Sequence, residues 1–60
     1  MGERVVVERV ERGQCCYVVY VRSEGGERKV LKVVGSVPPR EGQKYLVVKE
    51  VGLINAIQPL

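Results

Sequence analysis

Histidine, aspartate, threonine, phenylalanine and tryptophan are absent from this 60-residue chain. Without His, the commonest general base and metal ligand is missing. Ser23, Ser36, Cys15 and Cys16 therefore have no imidazole to activate them as nucleophiles. All seven acids are Glu. Three of them, Glu3, Glu8 and Glu11, alternate with Arg4, Arg9 and Arg12, the pattern of a solvated, self-compensating face. Glu24-Gly25-Gly26-Glu27 lacks the spacing of a phosphate loop and has no helical segment behind it. Two cysteines cannot make a four-ligand metal site alone. These shortages predict a protein that is not an enzyme and needs no cofactor or metal.

Alanine occurs once, at Ala56, and no run approaches the ~18 apolar residues of a membrane span. The first residues resemble neither a signal nor a transit peptide. The expectation is a cytoplasmic protein without a membrane role.

Valine is abundant, at 14 positions, and this β-branched weighting disfavours helix and suits a pleated, half-buried surface. Abundant Glu, Lys and Arg with little Asn and Gln fit a hyperthermophile composition. So short a chain makes one domain, and it buries only ~60% of its unfolded surface.

Five strands are predicted. Residues 4–12 form the first. No single register keeps Val5, Val7 and Val10 on one face, but a bulge near Glu8 and Arg9 does. Gly13 ends the run. Residues 14–22 form the second strand. Placed there, Cys15 and Cys16 point to opposite faces, and a disulfide between them is strained. One inward and one outward thiol is the expectation, with an intermolecular disulfide in a dimer as the alternative.

The turn at residues 23–27 reads as a hairpin. A two-residue loop sets Glu24 against Glu27 and Arg22 against Lys29. A three-residue loop of Gly25, Gly26 and Glu27 sets Glu24 against Arg28 instead, and charge favours it. Tyr17, Val19, Val21, Leu31 and Val33 then share the core face. Val18, Tyr20, Arg22, Arg28, Val30, Lys32 and Val34 share the other. Pro38-Pro39 place residues 35–42 in a loop. Residues 43–51 form the fourth strand and 53–57 a short fifth, with Pro59 ending it. The fold class is all-β: a small five-stranded antiparallel barrel or rolled sheet, OB-like or SH3-like, without substantial helix. The uncharged tail is expected to close the barrel against the first strand.

The net charge of +3 lies entirely in residues 22–44. Strands two and three of small barrels are a common bed for single-stranded nucleic acid. Arg22, Arg28, Lys32, Arg40 and Lys44 are the candidate phosphate contacts, and Tyr20 the candidate stacking platform. The sequence thus predicts non-specific binding of single-stranded DNA or RNA. The alternative is a homodimer or partner-binding module, through outward Val18, Val30 and Val34 or the apolar tail.

Overall fold

The computed structural model describes residues 2–60. Five strands are present, β1 (Glu3–Arg12), β2 (Tyr17–Ser23), β3 (Arg28–Val33), β4 (Lys44–Val51) and β5 (Ile54–Pro59). They form one antiparallel sheet in the order β3-β2-β1-β4-β5. No helix occurs among the described residues.

The bulge expected in β1 is there. Val7 pairs with Val21 and Arg9 with Tyr20, so Glu8 is the extra residue. The insertion brings Val10 to the side of Val5 and Val7. Glu8 and Arg9 both reach partners on the opposite side. The core is Val5, Val7, Val19, Val21, Leu31, Val33 and Tyr45, with Val10, Tyr17, Val47 and Ile57 packed against it. It is small and built largely from valine, as the β-branched composition implies.

The β2–β3 hairpin departs from expectation by one pair. Its loop is Glu24-Gly25-Gly26, closed by the Ser23 N–H donating to the Glu27 carbonyl at 2.8 Å. Arg22 therefore lies opposite Arg28 and Val19 opposite Leu31. Two forces decide this. Gly26 takes φ of 87°, and the last position of a three-residue loop is where a left-handed glycine is needed. The like-charge cost that argued against close basic pairs is relieved from a third strand: Glu8 lies 3.9 Å from Arg22 and 3.5 Å from Arg28. The shift is by a whole pair, so the two faces keep their expected residues.

Cys15 and Cys16 lie outside the strands, in the turn between β1 and β2. The opposite-face geometry expected of them does not apply.

The tail pairs with β4 rather than β1, and β5 runs through Pro59. Proline is tolerated there because β5 is an edge strand. A second bulge at Val48 interrupts the β4–β5 ladder, and Val51 beyond it is 63% exposed. The sheet curls until β3 and β5 touch, but no ladder joins them. It is not closed into a barrel. The radius of gyration of 10.3 Å nevertheless matches the ~10 Å of a compact domain of this length. Where the core would meet solvent at this seam, the Lys29 ammonium donates to both Glu3 carboxylate oxygens, at 2.9 and 3.0 Å.

Candidate nucleic-acid interface

Strand pairing lays the predicted residues out in rows across the outer face. The first row runs Lys44, Val6, Arg22, Arg28, one residue from each of β4, β1, β2 and β3. At ~4.8 Å between strands it spans about 14 Å. The second row is Arg9, Tyr20, Val30, and the third is Glu11, Val18, Lys32. Thus Tyr20, Arg22, Arg28, Lys32 and Lys44 share one surface.

The first row is the most basic. Beside it Arg4, Val6, Arg22, Glu24, Lys44 and Leu60 line a shallow hollow of about 110 Å³. Arg4 was not among the residues expected from sequence. Its segment is electrically neutral as a whole, which hides it. The signal lay in the alternation: Arg4 and Val6 share a side of β1, and Val6 pairs with both Arg22 and Lys44. Among the described residues Arg4, Lys32 and Lys44 form no ion pair, while Arg22 and Arg28 share Glu8. This distribution decides which cations can neutralise a phosphate without first losing a carboxylate.

Tyr20 is half-buried and its surroundings are occupied. The Arg9 guanidinium carbon lies 4.4 Å from the ring centroid. The Tyr20 hydroxyl donates to Glu11 Oε1 at 3.0 Å, and Arg9 bridges to Glu11 at 3.1 Å. Tyr20, and then the charge of Glu11, raise the Arg9 pKa above the ordinary arginine value. One ring face therefore already carries a cation, and a base would stack on the other or replace the guanidinium.

Arg40 stands apart. Its backbone N–H donates to the Tyr45 hydroxyl at 2.9 Å, which pins the proline loop to a core ring. It lies in a loop off the strand rows, and its side chain forms no ion pair among the described residues. Lys29, the remaining base of the hairpin, is engaged by Glu3 and, at 3.5 Å, by Glu27. Comparison with protein-family models, with curated proteins and with solved structures finds no match to this chain.

Proposed function

We propose that the outer face of β1–β4 binds single-stranded DNA or RNA without sequence preference. The observation carrying this reading is the four-strand row Lys44, Val6, Arg22, Arg28 with Arg4 beside it. Cations there would neutralise consecutive phosphates, and Tyr20 and Lys32 would extend the track along β2 and β3. Long, bulged β1, shared by both hairpins, and a partly open seam between β3 and β5 support an OB-like roll over an SH3-like one. In that architecture the β2–β3 face is the usual bed for an oligonucleotide.

The test is titration of a labelled oligonucleotide followed by fluorescence anisotropy in low and high salt. Binding that weakens steeply with salt is expected. Tyr20→Ala should cost ~1–3 kcal/mol if a base stacks there. No binding at low salt refutes the proposal.

A second reading rests on the edges. β3 and β5 have unpaired sides, and Val30 and Leu53 beside them are 59% and 76% exposed. Such edges suit pairing with a second copy or a partner strand. Sedimentation equilibrium separates the two: a stable dimer that loses oligonucleotide binding as it forms favours assembly.

A further inference from the structure

The turn between β1 and β2 holds both thiols of the chain. The Gly13 N–H donates to the Cys16 carbonyl at 2.8 Å and closes the chain over Gln14 and Cys15. A Cβ at residue 13 would lie 2.8 Å from that same carbonyl oxygen, so glycine is what permits the closure. The closure brings Cys15 Sγ to 2.6 Å from Cys16 Sγ. Cys15 is exposed and Cys16 partly so. A solvent-open hollow lined by Arg12, Gly13, Gln14, Tyr17 and Gly35 reaches both.

We propose that Cys15 and Cys16 are a modification site that closes into an intramolecular vicinal disulfide by exchange with a low-molecular-weight disulfide such as oxidised glutathione. The Cys15 thiolate attacks one sulfur of the small disulfide and releases its other half as a thiolate. A mixed disulfide on Cys15 results. The Cys16 thiolate then attacks Cys15 Sγ and releases the second half. Two protein thiols are oxidised to one disulfide, one small disulfide is reduced to two thiols, and the two protein protons pass to the leaving thiolates.

Three features support this order and this product. Cys15 is the more accessible sulfur. The hydrogen bond with Cys15, and then burial, raise the Cys16 pKa, so Cys16 keeps its proton during the first attack. In the second step the attacking sulfur is already beside its target, an advantage that a thiol from another molecule lacks at ordinary protein concentrations. The ring also predicts lability. Adjacent Cα atoms are ~3.8 Å apart across a trans peptide, below the ~4.4 Å at which ordinary disulfides begin. A small-molecule thiol should therefore reopen it readily. None of this depends on nucleic-acid binding.

The test incubates the native chain with oxidised glutathione, quenches with N-ethylmaleimide, and reads intact mass beside a non-reducing gel. The expected product is a monomer lighter by two hydrogens, without maleimide adducts, restored by dithiothreitol. Cys16→Ser should stop at the mixed disulfide, one glutathionyl group heavier, and Cys15→Ser should react more slowly. A wild-type chain that keeps its glutathione adduct, forms a disulfide-linked dimer, or stays fully alkylable overturns the proposal. The wild-type readout decides alone if either variant misfolds.

Discussion

Replacing Glu8 by Gln isolates the electrostatics of the outer face. Glu8 reaches Arg22 at 3.9 Å and Arg28 at 3.5 Å, in pairs whose arginine side chains are largely exposed. Exposed pairs contribute ~0–1 kcal/mol, so the fold should tolerate the change. For a bound strand the same carboxylate cancels one of two guanidinium charges. Arg4, Lys32 and Lys44 add three unopposed cations, with Glu24 at the hollow offsetting part of one. On the proposed reading the face would neutralise roughly three to four phosphates, and at ~0.7 per phosphate the logarithmic salt slope would be about −2 to −3. Affinity should fall roughly twenty- to fifty-fold between ~50 and ~200 mM salt. Glu8→Gln uncovers about one more charge, so the slope steepens by ~0.7 and low-salt affinity rises. Anisotropy titrations of a labelled oligothymidylate across a salt series read both quantities, and a urea melt confirms folding. An unchanged slope in the variant, or a wild-type slope near zero, refutes the placement of a strand over Arg22 and Arg28.

Val19 is fully buried, and Val19→Ala should cost ~2–3 kcal/mol, lowering the melting temperature by about 10–20 °C in a circular-dichroism melt. Gly26→Ala meets no atom within 4 Å, so its cost of ~1–2 kcal/mol is purely that of a left-handed backbone; Gly25→Ala, without positive φ, should be nearly neutral in the same melt. The Lys29 pKa is raised, chiefly by its hydrogen bond to Glu3. Its contribution is thus fully present below the ordinary lysine value of ~10.4 and is lost as pH rises through the higher folded value. Denaturation midpoints measured up the alkaline limb should fall, and Lys29→Met should flatten that fall.

Strand content and the core face were legible because alternation is a local signal. Val19, Val21, Leu31 and Val33 declare their side within one hairpin, and Val5, Val7 and Val10 demand a bulge. The loop register is not legible from charge pairs within β2 and β3 alone. The carboxylate that makes Arg22 opposite Arg28 tolerable comes from β1, brought there by that same bulge. The partner of β5 is hidden for a related reason: an uncharged tail names no neighbour, whereas a tight turn at Gly52, with φ of 61°, commits it to β4. In the candidate site, five of six residues share a face because parity carries across paired strands. Arg4 was hidden by regional charge balance, and Arg40 sits in a loop where alternation carries no information. The cysteines were placed by a strand that begins at Tyr17, after both of them.

The extra residue at position 8 also sets how this chain tolerates length changes. Losing one residue between Gly35 and Pro38 would shorten an exposed stretch that precedes the Arg40–Tyr45 hydrogen bond. Losing Glu8 would restore a regular ladder and, with it, an incompatible parity: one half of β1 would have to turn its valines to water so that the other could keep them dry. A one-residue deletion there should therefore be far more damaging than one between Gly35 and Pro38.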